Sequence, residues 1–446
     1  MLTAMLNSFR SPELRKKLLV TAALLAVFRF GSYVPVPGVD ASSLAAALES
    51  KGTTNILNFL NLFAGGALTR FAVFALGIMP YITASIILQL MTVVIPSLER
   101  LQKEGEAGYA KITQYTRYLT VALAIMQSLA YVLYFRSQGA LPDVGWSRTF
   151  LIIISLTAGT TMVMWLGEII TQRGVGNGMS ILIFASVVSR LPANFATVKA
   201  ESGFASMIGV ALMFVVLMVA IVFVEQGVRR IPVQFAKRQV GRKVYGGQST
   251  YIPLKVNGAG VISIIFASSV LYLPVIISQI LPASKSGEPE NWAFKVQQFV
   301  NSHLVRSTSP LYLAVYGVLI VLFAYFYTAI QFDPHKQADQ IRKQGGFIPG
   351  IRPGYQTERY LAKILSRITL PGALFVASIA LIPAYAIGKV LGDTNGGQQL
   401  GFFGISILIA VGVALETVKQ IDGQLMMRNY EGFLDTKSKS TKSSTK

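Results

Sequence analysis

Apolar residues in this chain gather into long stretches that are separated by polar segments. A helix needs about 20 apolar residues to cross a bilayer, and windows of this length identify transmembrane segments. The pattern therefore predicts an all-α polytopic membrane protein with ten transmembrane helices. The ten predicted spans are residues 16–36, 71–95, 114–136, 149–171, 179–198, 205–225, 259–281, 311–331, 368–388 and 401–421.

A further apolar segment, residues 55–68, is too short to cross a membrane and precedes the second span. It contains Gly65-Gly66, a pair that permits a break in the backbone. A half-length segment at membrane depth is tolerated only where protein or a water-filled cavity receives it. We therefore expect that the chain encloses a cavity and that this segment enters it from the outer side.

The composition agrees with a membrane protein. Hydrophobic residues make up 52% of the chain and charged residues 13%, whereas soluble domains carry about 25% charged residues. Cysteine is absent, which excludes disulfides and thiolate metal sites. The two histidines, His303 and His335, lie in polar loop segments, so we expect no metal and no cofactor.

The distribution of positive charge predicts the orientation. The chain carries 40 Lys and Arg and a net charge of +20. With a cytoplasmic N-terminus, roughly three quarters of these cations fall on the cytoplasmic side, as the positive-inside rule requires. Both termini, including the polar tail 434–446, are thus predicted to be cytoplasmic. Five spans per half then give residues 1–200 and 201–446 opposite orientations, and inverted halves place a functional path near the bilayer midplane.

Two predicted cytoplasmic loops, residues 226–258 and 332–367, are long and basic, and connections of this length commonly carry a function. In the first loop, Ile231, Val233 and Phe235 alternate with basic residues, which predicts a small hairpin. In the second, we predict a helix from Thr357. Two interpretations stay open: basic faces on anionic lipids, or docking of a large acidic partner such as ribosomal RNA or a motor protein.

No pattern in the chain predicts an enzyme. The phosphate-binding motif G-x-x-x-x-G-K-[ST] is absent, and neither histidine can complete a Ser-His-Asp site inside the membrane. Intramembrane charges are typical of ion-coupled transporters. Arg29 and Glu416 are such charges, but they form no acidic relay. A secondary transporter of a small solute is the alternative function on this evidence.

Five long motifs carry a family resemblance: GGALTRFAVFALGIMPYITASIILQL (65–90), ITQRGVGNGMSILIFA (170–185), EQGVRRIPVQFAKR (225–238), STYIPLKVNGAGVISIIFASS (249–269) and GGFIPGIRPGYQTERYLAKILSRITLPGA (345–373). Together they resemble the SecY family, the channel subunits of the bacterial Sec protein translocon. The resemblance runs from Ser11 to Phe433.

The resemblance implies an hourglass channel of two five-helix halves, closed on the outer side by a plug at about residues 55–68. The implied plug residues are Leu57, Leu60, Phe63, Gly65 and Gly66. The implied pore ring is Ile78, Ile82, Ile183, Ile265 and Ile409. The spacing of Ile78 and Ile82 puts them on one helix face. Branched apolar side chains dewet a narrow pore, and they offer a passing chain no fixed hydrogen bond.

A lateral gate, through which signal sequences reach lipid, is also implied, with polar side chains at Thr83, Gln127 and Ser269. In membranes such side chains hydrogen-bond either across helices or to their own helix backbone, and both possibilities stay open here.

The resemblance further implies docking surfaces on the two basic loops. Arg352 of the IRPG motif is implied to couple the channel to the motor ATPase SecA. The surface shared by SecA and the ribosome would include Arg229, Arg230, Lys237 and Arg238. The implied partners in the bacterial plasma membrane are SecE, SecG, SecA, the ribosome, signal sequences, translocating polypeptides and anionic lipids. An insertase or scaffold without a pore is a third possibility.

Overall fold

The structure is a computed structural model. It describes residues 12–37, 39, 61–137, 145–235, 238–240, 243–245, 249–280, 292–303, 309–391 and 403–443. The chain packs as two compact units. The first comprises the residues up to Phe195 together with those from Ile409 onward, and the second is Ala196–Leu408.

The regular secondary structure described in the first unit is helical. Helix α4 packs against α2 and α5, and α5 packs in turn against α1 and α6. The helices are α1 (Pro12–Gly31), α2 (Met79–Val94), α3 (Pro96–Lys103), α4 (Glu106–Ser137), α5 (Trp146–Arg173), α6 (Gly178–Val188) and the start of α7 (Leu191–Glu225), which continues into the second unit.

The second unit combines helices with a small sheet. Helix α10 packs against both α8 and α12. The strands are β1 (Val228–Phe235), β2 (Arg238–Val240), β3 (Lys243–Tyr245), β4 (Ser249–Lys255) and β5 (Gly346–Phe347). The helices are α8 (Gly260–Ile280), α9 (Trp292–His303), α10 (Pro310–Gln331), α11 (Pro334–Lys343), α12 (Tyr355–Leu391) and the start of α13 (Phe403–Ser443).

The starts of several helices follow from local sequence. Helices α3, α10 and α11 each have a proline in the first turn, where the missing N–H would have no intrahelical partner. Side chains of Asn177, Ser309 and Asp333 accept backbone hydrogen bonds at the N-termini of α6, α10 and α11. Gly203, with φ 81°, kinks α7 and separates the predicted fifth and sixth spans.

Within the described residues, seven helices are long and apolar enough to cross a membrane, and the bent pair α2–α3 makes an eighth. They correspond to predicted spans 2–6 and 8–10. Helix α1 lies at the predicted first span, but Arg15, Lys16, Lys17 and Arg29 make it more polar than the others. Helix α8 lies at the predicted seventh span, and its 21 residues, Gly260–Ile280, include no charged side chain.

The second span differs from the prediction. We predicted an apolar span over residues 71–95, but regular helix begins only at Met79, and the chain bends by 99° between α2 and α3. Residues 64–78 form turns apart from one isolated bridge at Ala72. Gly65, Gly66 and Gly77 have positive φ values there, which an α-helix does not permit.

The predicted hairpin in the first basic loop is confirmed, because β1 and β4 pair antiparallel with Ile231 opposite Ile252. The second basic loop contributes β5, which pairs with the end of β1 through Gln234 and Phe347. The strand order is therefore β4-β1-β5. The predicted helix from Thr357 is also confirmed and begins at Tyr355.

Candidate functional site

Residues 61–78, here called the buried segment, pass through the interior of the first unit without forming a helix beyond residues 61–63. Phe63, Ala64 and Ala67 have no exposed surface, and Leu68 and Phe71 are 1% exposed. For residues 61–68, the described part of the short apolar segment, the expectation that protein receives it is met. The described part of this segment does not form the expected half-length helix. Residues 61–63 make a single helical turn, and the backbone from residue 64 onward forms non-helical turns.

Two features of the buried segment require glycine: positive φ angles, and neighbouring atoms that leave little room for a side chain. Gly65, Gly66 and Gly77 have φ values of 63°, 91° and 57°. A side chain at Gly77 would lie about 3.0 Å from the Cα of Ala64, and one at Gly65 would lie 3.2 Å from the Cα of Ser186. The segment thus folds back on itself and packs against α6.

Arg29 of α1 holds the buried segment by its backbone. Its Nη1 donates a hydrogen bond of 2.8 Å to the carbonyl oxygen of Gly65. The guanidinium groups of Arg29 and Arg70 both lie over the ring of Tyr33, at 5.2 and 4.0 Å from its centroid. The intramembrane charge singled out in the sequence therefore satisfies a turn carbonyl that regular helix would otherwise pair.

Asn61 opens the buried segment and has an unusual environment. Its side chain is fully buried, and among the described residues neither its amide nitrogen nor its amide oxygen has a hydrogen-bond partner. Leaving a buried polar group unpaired costs about 1–3 kcal/mol. Asn61 was not among the predicted site residues, although an amide within the apolar run LNFLNLF, which holds two asparagines, is a visible signal.

Of the five predicted plug residues, Phe63, Gly65 and Gly66 lie in the buried segment. Leu57 and Leu60 lie outside the described residues.

Four of the five predicted ring isoleucines belong to the first unit. Ile78 is 2% exposed and directly precedes α2, and the amide of Ile82 donates to its carbonyl at 3.1 Å. Ile183 on α6 and Ile409 on α13 are buried. Ile265 on α8 belongs to the second unit and is also buried. Ile78 is thus the N-cap of α2 and lies one helical turn before Ile82.

The three predicted gate residues have different hydrogen bonds. Thr83 Oγ1 donates to the carbonyl of Met79 at 3.0 Å, and Ser269 Oγ donates to that of Ile265 at 2.7 Å. Both therefore bond to their own helix backbone, the local alternative left open above. Gln127 on α4 keeps a buried Oε1 that has no hydrogen-bond partner in the part of the chain that the structure describes.

The two basic loops fold together into one platform, defined here as β1, β4, β5, α11 and the first turns of α12. It has its own hydrophobic core, which sequence reasoning on separate loops missed. The buried core residues are Ile231, Val233, Leu254, Ile341, Ile348 and Leu361.

Basic side chains lie on the outside of the platform. Arg229 and Arg230 are exposed on β1, and Arg230 lies over the ring of Tyr251, 5.0 Å from its centroid. Lys237 lies outside the described residues, and for Arg238 the structure describes only the backbone, in β2. Arg229 and Arg230 therefore present their charges to solvent from a rigid strand.

Arg352 is exposed in a loop whose backbone is fixed on both sides. Gly350 and Gly354 have φ values of 80° and 101°. The carbonyl of Arg352 accepts a 3.0 Å hydrogen bond from Oγ1 of the buried Thr357. Among the described residues, no carboxylate forms an ion pair with Arg352, so its charge is available to a partner.

His335 links α11 to α12 on the same platform. Its Nδ1 lies 2.9 Å from Oε2 of Glu358, and its Nε2 lies 3.7 Å from Oδ2 of Asp339. The hydrogen bond to Glu358 and the charges of Glu358, Asp339 and Asp333 raise the pKa of His335 above its usual range.

Comparisons with known proteins point to one family. A sequence profile of the SecY family matches residues 72–418. The protein translocase subunit SecY of Streptomyces galbus is 51% identical over 97% of this chain and 100% of its own length.

Solved structures show the same fold. A SecY structure concerned with a plug domain that stabilises the closed state of the translocation channel matches with a TM-score of 0.61 and 19% identity, over 91% of each chain. Sec61 from a canine ribosome-channel complex matches with a TM-score of 0.56 and 17% identity, also over 91% of each chain. The profile match and the identity to SecY subunits establish that this chain belongs to the SecY family of multi-pass membrane proteins.

Proposed function

We propose that this chain is the channel-forming subunit of a bacterial Sec translocon. It would pass unfolded secretory polypeptides across the plasma membrane and release transmembrane segments sideways into lipid. The observation that carries the proposal is the 51% identity, over 97% of the chain, to a protein named as a translocase subunit. A secondary transporter of a small solute is not favoured, because no such protein is among the matches reported above.

The buried segment supports a plug role. It is apolar and largely buried, yet its backbone forms successive turns instead of a helix, and Arg29 holds it through the carbonyl of Gly65. Such a segment can leave its seat without unfolding a helix, since it contains only one helical turn. A plug that stabilises the closed state is described for the related SecY protein of known structure.

The five isoleucines support a passive constriction. All are aliphatic and lack groups that would hold a passing peptide by hydrogen bonds, so chains of any sequence could slide. A ring of such side chains also excludes water and ions when no chain is present.

The gate residues support a weak, reversible seal. Thr83 and Ser269 satisfy their hydroxyls locally, so opening breaks none of their own hydrogen bonds. Gln127 has an unpaired oxygen that a polar group of an arriving segment could satisfy.

The platform supports docking of the energy source. This chain has no phosphate-binding loop, so the work of translocation would come from SecA or the ribosome. The exposed Arg229, Arg230 and Arg352 fit acidic protein or RNA surfaces. We place SecE and SecG beside the chain in the membrane, and both of its termini in the cytoplasm.

Crosslinking tests the channel function directly. The chain has no native cysteine, so one cysteine at a time can replace each of the five isoleucines, with Ile208→Cys, an exposed position of α7, as the matched control. A secretory polypeptide stalled during translocation should crosslink at the five ring positions and not at the control. Crosslinks at none of the five would contradict a pore through this chain and would favour an insertase without one.

A further inference from the structure

Helix α9 lies at the membrane end opposite the platform. Strand β4 of the platform ends at Lys255, shortly before α8 begins, and α10 ends at Gln331, shortly before α11 of the platform. The platform therefore lies at one end of both helices. Helix α9 joins their other ends, which is the outer side if the platform is cytoplasmic.

A hydrogen-bonded junction holds α9 against the end of a span. Ser309 Oγ donates to the carbonyl oxygen of His303, the last residue of α9, at 2.6 Å. Ser309 Oγ also accepts a hydrogen bond of 3.1 Å from the backbone amide of Tyr312 and so caps α10. Helix α10 is apolar and long enough to cross the membrane. The C-terminus of α9 is thus held at the depth at which α10 begins.

One face of α9 is apolar and only partly covered by the chain. Val296, Phe299 and Val300 follow the spacing that places side chains on one helix face. Helix α9 packs against α8, and Val300 is 4% exposed. Val296 and Phe299, on the same face, are 39% and 52% exposed.

A polar stripe on α9 borders this apolar face at Phe299, which follows Lys295 by four residues and precedes Ser302 by three. Lys295, Gln298 and Ser302 share a helix face and are all exposed. The helix is therefore amphipathic. Its junction with α10 holds it near the membrane surface if α10 spans the membrane. Phe294, at the N-terminal turn, is the exception on the polar side.

Lipid is the occupant that this placement favours. The neighbouring turns of α10 also carry exposed apolar side chains, at Leu311, Val315 and Val318. These are lipid-facing if α10 spans the membrane, and α9 is joined to the N-terminal end of that helix through Ser309. A short amphipathic helix at this depth buries its apolar side chains at the boundary between headgroups and acyl chains.

We propose that α9 is an interfacial helix, with Val296 and Phe299 inserted into the outer leaflet and Lys295 at the level of the lipid phosphates. The contact anchors the connection between α8 and α10 to the membrane surface. The proposal does not depend on channel function.

Site-specific fluorescence tests the proposal, and the absence of native cysteine makes single labelling possible. An environment-sensitive fluorophore is attached to Phe299→Cys, Val296→Cys or Gln298→Cys in the full-length chain within its purified complex. The complex is placed in nanodiscs of phosphatidylethanolamine and phosphatidylglycerol, which leave both membrane faces open to solvent. Quenching by a lipid that carries its quencher near the headgroup is compared with quenching by aqueous iodide.

Lipid-borne quencher should act several-fold more strongly at positions 296 and 299 than at 298, and iodide should show the reverse order. Equal iodide quenching at all three positions would overturn the proposal, because the apolar face would then lie in water. Protection of 296 and 299 from both quenchers would also overturn it, because a protein partner would then cover the face. Two labelled positions on one face keep the test valid if either substitution disturbs the helix.

Discussion

Arg29 illustrates at the residue scale how this protein uses a charge within an apolar helix. Its guanidinium replaces the helical hydrogen bond that the carbonyl of Gly65 cannot make in a turn. A hydrogen bond from a charged donor contributes about 1.5–3 kcal/mol. Arg29 therefore contributes to the stability of the seated form of the buried segment.

We expect Arg29→Met to raise the ion conductance of proteoliposomes that contain the complex, by roughly tenfold if the lost hydrogen bond is worth 1.4 kcal/mol or more. Methionine keeps the length of the side chain but cannot donate to Gly65. Arg70→Met is the matched control, because it removes the same charge beside Tyr33 while the hydrogen bond to Gly65 remains. Equal conductance of the two variants would show that charge alone matters.

Asn61 acts in the opposite direction, because its unpaired amide destabilises the seated form. Asn61→Leu keeps a similar volume and removes the polar group, so we expect slower hydrogen exchange at the amides of residues 62–66. Asn61→Asp buries a charge at the same place and should accelerate that exchange. The prediction is wrong if leucine and aspartate shift the exchange rates in the same direction.

At the scale of elements, α11 and α12 are joined by a contact that depends on pH. The pKa of His335 is raised in the folded protein by Glu358, with Asp339 and Asp333 nearby. A group of this kind stabilises the folded state fully below its unfolded pKa, and the contribution is lost as the pH rises through the folded pKa. The link between α11 and α12 should therefore be strongest in mildly acidic solution.

Hydrogen exchange of α11, corrected for the intrinsic pH dependence of exchange, should be slower below the usual histidine pKa than above it. His335→Gln should remove this difference, because glutamine does not titrate in this range. Lys336→Gln, a neighbouring substitution that leaves the contact between His335 and Glu358 intact, is the control. A pH effect that persists in His335→Gln would assign it to another group.

At the scale of the whole molecule, the exposed charges of the platform connect the protein to its energy source in our proposal. Arg352 is held by Thr357 in a fixed loop and has no carboxylate partner among the described residues. We expect Arg352→Glu to abolish SecA-driven translocation into membrane vesicles while the protein still inserts and folds.

The matched control for Arg352→Glu is Arg367→Glu, which reverses an exposed arginine farther along α12. Normal translocation by Arg352→Glu would refute the docking role. Equal loss in both variants would indicate that net charge rather than this position matters.

Local patterns were sufficient for much of the fold. The lengths of the apolar stretches correctly predicted spans 3–6 and 8–10, since crossing a membrane imposes a minimum length on each helix separately. The alternation of Ile231 and Val233 correctly predicted the hairpin, since strands alternate their faces along the chain. The Gly65-Gly66 break was likewise visible, because only glycine adopts these dihedral angles readily.

The sequence by itself therefore determined the class of the protein, most of its membrane segments and the place of its irregular segment, because these depend on neighbouring residues. Tertiary structure alone decided that Arg29 bonds to Gly65, that Asn61 is left unpaired, and that β5 joins β1 to make one platform from two loops. Each of these pairs residues that are distant in the chain or depends on burial by distant residues. No periodicity specifies such contacts, and only the packing of the folded chain brings them about.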